Sequence, residues 1–201
     1  MIRVLLAEDQ AMMRGALAVL LDLEDDLEVV AQVEDGADIV PTALRVEPDV
    51  ALLDIELPHV SGLEAAEQLA TALPTCRVVI VTTFARTGYL QRAMAAGARG
   101  YLVKDGPVEG LVDGIRRVAS GGTVIDPELA GAALRAQANP LTPREREVLA
   151  AAADGSTVAD IASRVHLSPS TVRNYLSDAI SKTGTRNKTE AALLARDNGW
   201  L

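Results

Sequence analysis

The sequence predicts two folded units: an α/β unit with a parallel sheet, and a smaller unit made only of helices. Strand-like and helix-like segments alternate five times within residues 1–120, which is typical of a parallel sheet with helices on both faces. From residue 140 onward the strand pattern stops and helix-start signals follow one another closely. We therefore expect an α/β domain at 1–120, a linker at 121–139 and an all-α domain at 140–201.

Short apolar runs bounded by polar or turn-forming residues predict the strands of the first unit. They lie at residues 2–6, 27–33, 50–54, 78–82 and 100–104. Apolar residues at helical spacing predict the intervening helices at residues 12–20, 37–46, 62–72, 90–96 and 108–118. Gly97 is suited to end the fourth helix and Pro107 to begin the fifth. A short alanine-rich helix is expected in the linker, from Pro127 to Ala136.

Three helix starts define the second unit. They are Thr142-Pro143-Arg144-Glu145, Thr157-Val158-Ala159-Asp160 and Ser168-Pro169-Ser170-Thr171. In the first, a threonine caps the helix and a glutamate three residues later reaches back to it; the second repeats this with aspartate. The short turn at residues 166–168 places two helices in succession. The apolar residues expected in the core are Ile161, Ala162, Val165, Leu167, Val172 and Ile180.

The composition excludes several classes of protein. No apolar run approaches the roughly 20 residues that a membrane-spanning helix needs, so no membrane insertion is expected. Residues 1–4 lead straight into a strand pattern and do not resemble a signal peptide. Cys76 is the only cysteine, which excludes an internal disulfide and a cysteine-based zinc site. We expect a soluble, cytoplasmic protein.

The charge distribution differs between the two predicted units. The net charge of −9 would by itself argue against nucleic acid as a partner. However, residues 1–120 contain 19 acidic and 10 basic residues, whereas residues 140–201 contain 7 and 8. An acidic first half and a locally basic second half indicate different partners for the two units.

Polar side chains follow four of the predicted strands, at the edge where parallel strands end together. Glu8 and Asp9 follow the first strand, Asp54 ends the third, Thr82 the fourth and Lys104 the fifth. Each alone is compatible with an ordinary cap or strand end, but their conjunction is hard to obtain by accident. Three crowded carboxylates favour a hard divalent cation, typically Mg²⁺. An aspartate beside such an ion can accept a phosphoryl group, with lysine as a point charge.

Residues 1–120 resemble a response-regulator receiver domain. The match includes Asp54-Ile55-Glu56-Leu57-Pro58 with Gly62, and the segment from Ala96 to Lys104. The resemblance implies a flavodoxin-like fold with a five-stranded parallel, doubly wound sheet. It makes Asp54 the phosphoacceptor, with Thr82 and Lys104 as its catalytic partners.

The same resemblance implies further site residues. The backbone carbonyl of Glu56 is expected to join Glu8, Asp9 and Asp54 as a ligand of Mg²⁺. Tyr101 takes the position of the aromatic residue that changes rotamer on phosphorylation, together with a shift of Thr82.

The helical unit resembles the LuxR-type helix-turn-helix domain of the NarL/FixJ subfamily. The segments that carry this are residues 141–149 and 171–176. Residues 83–84, 88–89 and 173–177 resemble its DesR-like branch. Arg173, Asn174 and Ser177 share a face of the second helix of the pair, where side chains meet base edges in the major groove. The expected phosphate contacts are Lys182, Arg186 and Lys188.

Two departures from the subfamily pattern stand out. Val158-Ala159-Asp160 replaces a common Asn-Lys-Glu run, so we expect a contact to the DNA backbone from that helix to be missing. Thr183 stands where leucine is usual, which would loosen packing at the end of the recognition helix. A helical domain with a basic, solvated face that binds proteins is the alternative to DNA binding.

These features predict a phosphorylation-controlled transcriptional regulator and not an enzyme. A sensor histidine kinase would phosphorylate Asp54, and phosphorylation would promote a homodimer that binds double-stranded DNA. One alternative is a haloacid-dehalogenase-like phosphatase, which also uses an aspartate nucleophile with Mg²⁺. Asp54-Ile55-Glu56 superficially resembles the Asp-x-Asp motif of those enzymes, but that motif normally follows the first strand, where this chain has Glu8 and Asp9. Another alternative is a DNA-binding protein whose receiver-like unit is never phosphorylated.

Overall fold

Every strand of the first unit pairs in parallel with its neighbour, as the alternating pattern predicts. The structure is a computed structural model that describes residues 1–83, 87–127, 129–131 and 139–201. The chain divides into two compact units, one within residues 1–131 and one that contains residues 139–201. The strands are β1 (Ile2–Ala7), β2 (Leu27–Val33), β3 (Val50–Leu53), β4 (Arg77–Thr82), β5 (Gly100–Val103) and β6 (Val124–Ile125). Their order in the sheet is β2-β1-β3-β4-β5-β6.

Five α-helices connect the first five strands to one another and β5 to β6. They are α1 (Ala11–Asp22), α2 (Ile39–Val46), α3 (Gly62–Ala72), α4 (Thr87–Ala95) and α5 (Val108–Ala119). A single 3₁₀ turn, Gly36–Asp38, precedes α2. Alternate strand residues such as Val4, Leu52 and Val79 form one buried cluster with α1 and α5. Their neighbours, Leu5 and Leu53 among them, are fully buried as well. The central strands are therefore covered on both faces, which explains why they are continuously apolar.

The sheet has a sixth strand that the sequence did not predict. Val124 and Ile125 pair with Gly100 and Tyr101 at the β5 edge, inside the segment expected to be linker. Two residues are too few for a period-two pattern, so the prediction of five strands was one short. Pro127 and residues 129–131 are helical, in line with the short helix expected there; residues 128 and 132–136 of that prediction lie outside the described residues.

The register brings the carboxyl ends of the strands to one edge. Ala7 pairs with Leu53, Leu53 with Ile80, and Thr82 with Val103. The chain continues this pairing beyond the strands, since the Asp54 amide donates to the Ala7 carbonyl and the Lys104 amide to the Thr82 carbonyl. The polar residues that follow β1, β3, β4 and β5 are thereby held side by side.

Residues 139–201 form four helices, of which the first three begin where the caps predict. They are α6 (Pro143–Ala151), α7 (Val158–Arg164), α8 (Pro169–Thr183) and α9 (Lys188–Asp197). Thr142 and Thr157 each form a complete capping box, and the Ser168 hydroxyl accepts the Thr171 amide. The expected core is confirmed: Ile161, Ala162, Val165 and Val172 are buried, and Leu167 and Ile180 pack against them. Among the described residues, no helix combines the length and apolarity needed to cross a membrane.

Candidate functional site

The carboxyl edge of the sheet forms an acidic cup around one lysine. The Lys104 ammonium lies 2.6 Å from Glu8 Oε2 and 2.8 Å from Asp54 Oδ2, and all three side chains are almost completely buried. Burial alone would lower the pKa of Lys104, but the hydrogen bonds that its ammonium donates to Asp54 and Glu8 outweigh this and raise it. A charged lysine thus holds together two carboxylates that would otherwise repel each other.

The cup has the donor set of a divalent metal site. Carboxylate oxygens of Glu8, Asp9 and Asp54 lie within 4.8 Å of one another, and Asp9 is exposed at the mouth. Three ionised carboxylates and one ammonium leave two negative charges uncompensated. Hard oxygen donors with this charge fit Mg²⁺, which keeps several waters and needs only one or two carboxylates.

Asp54 is held by its backbone and by both carboxylate oxygens. Oδ1 accepts the amide of Ile55 at 2.7 Å, and Oδ2 accepts Lys104. Gly62, the first residue of α3, packs against the Asp54 carbonyl so closely that a Cβ there would lie 1.9 Å from that oxygen. The Gly62 amide also donates to the Ile55 carbonyl. The absence of a side chain at Gly62 is therefore what allows the loop after Asp54 to close. Glu56 lies exposed in that loop.

Thr82 and Tyr101 lie on neighbouring strands beside the cup. Both are fully buried, Thr82 at the end of β4 and Tyr101 in β5. Tyr101 pairs in register with Ile80, two residues before Thr82. Neither side chain is therefore accessible to solvent in this structure.

Arg14 is a site residue that sequence reasoning missed. From α1, one guanidinium nitrogen donates to the Glu8 carbonyl at 2.6 Å, and the other pairs with Glu34 at 3.0 Å. Arg14 thus links the backbone of the acidic pair, Glu8 and Asp9, to the residue that follows β2. The only signal in the sequence is an arginine one helical turn into α1, which cannot be told from a solvated charge.

The second candidate site is the exposed face of α8. Arg173, Asn174 and Ser177 are all exposed on this helix, as predicted. Within the part of the chain that the structure describes, no residue partners their side chains. The helix starts after the turn at residues 166–168, where His166 has a φ of +54°. Two helices joined by a short turn, with unpartnered polar side chains on the second, are the geometry of a helix that can enter a DNA groove.

The three predicted phosphate contacts each have a partner inside the domain. The Lys182 ammonium lies 2.7 and 2.8 Å from the two carboxylate oxygens of Glu145. Arg186 pairs with Glu190, although the Arg186 side chain is 88% exposed. The Lys188 ammonium donates to the Ser156 carbonyl. Arg186 is thus the most available of the three for a contact outside the domain.

The two departures from the subfamily pattern are accommodated locally. Asp160 completes the capping box of α7 with Thr157, so the replaced run still begins a helix. The Thr183 hydroxyl donates to the Ala179 carbonyl at 2.7 Å and contacts the Thr185 hydroxyl at 2.9 Å. Gly184 then ends α8 in the left-handed conformation. A satisfied hydroxyl therefore replaces the usual leucine at the end of α8.

Two family models match the two units. Residues 4–116 match the response regulator receiver domain, and residues 139–195 match the bacterial regulatory proteins of the luxR family. Together they cover the acidic cup and the α8 face.

Curated relatives and solved structures match over the whole length. An uncharacterized transcriptional regulatory protein, YvfU of Bacillus subtilis (strain 168), is 48% identical over 201 residues, covering 100% of both chains. The transcriptional regulatory protein DesR of the same organism is 46% identical with the same coverage. The crystal structure of the response regulator ChrA in a heme-sensing two-component system is 32% identical, with a TM-score of 0.60, covering 100% of this chain and 98% of that one.

Proposed function

We propose that this chain, which belongs to the response regulators with a luxR-family DNA-binding domain, is switched by a phosphoryl group on Asp54. The observation that carries the proposal is the buried Lys104 bridge between Glu8 and Asp54, with the Asp9 carboxylate completing the cup. A lone aspartate at a strand end would not require a buried lysine and two further carboxylates.

The proposed reaction transfers a phosphoryl group from a phosphohistidine of a sensor histidine kinase. A carboxylate oxygen of Asp54 attacks phosphorus, the phosphorus–nitrogen bond breaks, and the imidazole leaves with the electron pair. Glu8, Asp9, Asp54 and the Glu56 carbonyl would hold Mg²⁺, which supplies positive charge to the phosphoryl oxygens. Lys104 lies 2.8 Å from Asp54 Oδ2 and is placed to pair with the same oxygens once the acyl phosphate has formed.

The proposed switch runs through Thr82 and Tyr101. The Thr82 hydroxyl, at the end of the strand next to Asp54, would contact the new phosphoryl group, and the buried Tyr101 ring would fill the space beside it. A changed arrangement of these two side chains would alter the neighbouring surface and favour a homodimer.

The proposed output is sequence-specific DNA binding in the cytoplasm. Arg173, Asn174 and Ser177 would meet base edges, since they are exposed and unpartnered among the described residues. Arg186, between α8 and α9, and Lys188, at the start of α9, would contact phosphates, whereas Lys182 lies in the last turn of α8. One basic unit binds weakly, and two units linked by dimerisation bind with avidity.

Intact-mass measurement with Mg²⁺ and a small phosphodonor such as acetyl phosphate tests the acceptor. We expect one phosphoryl adduct on the wild type, none on Asp54→Asn, and none after chelation of the metal. Asp105→Asn is the matched control, because Asp105 is exposed next to Lys104 and should leave the adduct unchanged. The oligomeric state of the same samples should shift toward dimer only where the adduct forms.

Three results would overturn this proposal. An adduct that persists on Asp54→Asn would place the acceptor elsewhere. Catalytic turnover of a generic ester such as p-nitrophenyl phosphate would favour the haloacid-dehalogenase-like phosphatase instead. A wild type that gives no adduct with its kinase would favour a DNA-binding protein with an unphosphorylated receiver.

A further inference from the structure

Glu145 is a buried carboxylate at the beginning of the DNA-binding domain. It is 4% exposed and is the residue that completes the capping box of α6. Its Oε2 accepts the Thr142 amide at 2.8 Å. Both of its oxygens also accept the Lys182 ammonium, at 2.7 and 2.8 Å. Capping would account for one of these contacts, but not for a cation held by both oxygens.

Lys182 lies in the last turn of α8, the helix that carries the exposed Arg173 and Asn174. Its ammonium therefore joins the first turn of α6 to the last turn of the recognition helix, 37 residues further along the chain. Nine residues of helix separate Lys182 from Arg173, about 13 Å along the axis. The bridge thus fixes one end of α8 while leaving the base-reading end free.

We propose that Lys182 is a positioning residue for DNA recognition, acting through Glu145, and not one of the phosphate contacts. This inference rests on the proposed DNA-binding function. A phosphate that captured the ammonium would leave Glu145 buried without its cation, which is strongly unfavourable. Arg186 can leave its partner for a phosphate at little cost, because its side chain is 88% exposed and its partner Glu190 is partly exposed too.

The two roles differ in the salt dependence of DNA binding. Each phosphate contact releases counterions and contributes roughly 0.9 to the slope of log affinity against log salt. A residue that only orients the helix changes the affinity at every salt concentration and leaves the slope unchanged. It also lowers the preference for a specific sequence, since base contacts are misplaced.

The test uses full-length phosphorylated protein and a 30-bp duplex selected with it from a random pool. A scrambled duplex of the same composition serves as the reference. We expect Lys182→Met and Glu145→Gln each to weaken binding to the selected duplex by about tenfold with the salt slope unchanged. The double variant should be no weaker than the worse single variant, and Lys182→Arg should retain most of the affinity.

Two matched controls separate the alternatives. Arg186→Gln should lower the salt slope by about one, as expected for a phosphate contact. Thr142→Ala removes the other half of the capping box but keeps the ion pair, so it should lower thermal stability and leave affinity intact where the protein is folded. Gln at position 145 can still cap the helix, so Glu145→Gln tests the charge specifically.

A fall in slope of about 0.9 for Lys182→Met, with Glu145→Gln binding like the wild type, would overturn the inference. If Glu145→Gln does not fold, the slope of Lys182→Met decides alone. Failure of the wild type to yield any selected duplex would instead overturn the proposed DNA-binding function, so the two failures are distinguishable.

Discussion

Lys104 is the residue on which the acidic cup depends. It is nearly buried between Glu8 and Asp54 and is paired with both. We predict that Lys104→Met lowers the free energy of unfolding by about 3 kcal/mol in the absence of metal, because two buried carboxylates then face each other uncompensated. Mg²⁺ should recover part of this loss by binding the same oxygens.

Thermal unfolding with and without Mg²⁺ measures the effect of this substitution. The exposed Arg99→Met is the control and should change stability by less than about 0.5 kcal/mol. A Lys104→Met protein as stable as the wild type in chelator would show that the bridge contributes nothing to the fold.

Cys76 shows what burial does to an ionisable group outside the site. The side chain is 6% exposed at the start of β4, and burial raises the pKa of its thiol to about 12. At pH 8 about one molecule in ten thousand then carries a thiolate, which is the reactive form. We predict that a thiol reagent such as DTNB leaves the folded protein unlabelled for hours and labels it within minutes in denaturant. Rapid labelling of the folded protein at pH 8 would contradict this burial.

At the scale of elements, we expect opposite effects on stability when alanine replaces either of two glycines that lie in helices. Gly62 lies against the Asp54 carbonyl, so Gly62→Ala should displace the loop after β3 and cost about 1–3 kcal/mol. Gly15, exposed in α1, has no atom within 4 Å of an added Cβ, so Gly15→Ala should stabilise the protein by about 0.5–1 kcal/mol. Denaturant unfolding of both variants measures the pair. Equal effects of the two substitutions would argue against the close approach at Gly62.

Elements with a local cause could be predicted from the sequence. The hydrogen bonds of the capping boxes at Thr142 and Thr157 join residues within one helical turn, and the strand that leads to Asp54 is a continuous apolar run. The grouping of the polar residues in the acidic cup could be predicted as well, because the carboxyl ends of parallel strands lie at the same edge of a sheet. The sixth strand, Val124–Ile125, depends on its pairing with β5 and has no local pattern.

Contacts between distant residues could not be predicted from the sequence. Glu145 was expected as a capping residue and Lys182 as a phosphate contact, but nothing in either segment indicates that they bind each other. Arg14 bridges Glu8 and Glu34 by the same kind of long-range contact. Such pairs are set by how helices and strands pack, which the local residue pattern does not determine.

At the scale of the whole molecule, the uneven distribution of charge affects how DNA binding can be controlled. The excess of negative charge lies in residues 1–120, and residues 140–201 are nearly neutral. A single DNA-binding unit with one net positive charge and few phosphate contacts is expected to bind DNA weakly, and joining two units adds their contacts and raises the affinity. Under the proposed function, a phosphoryl group on Asp54 would supply that control by changing how copies associate.

The measurement that tests this account most directly is the affinity of the full chain for a selected DNA duplex before and after phosphorylation, in wild type and Asp54→Asn. We predict that phosphorylation raises the wild-type affinity at least about tenfold, with dimers on the DNA and a steep fall as salt increases. Asp54→Asn should bind at the level of the unphosphorylated wild type under both conditions. Equal affinity of phosphorylated and unphosphorylated wild type, or binding as a monomer to a single half-site, would contradict it.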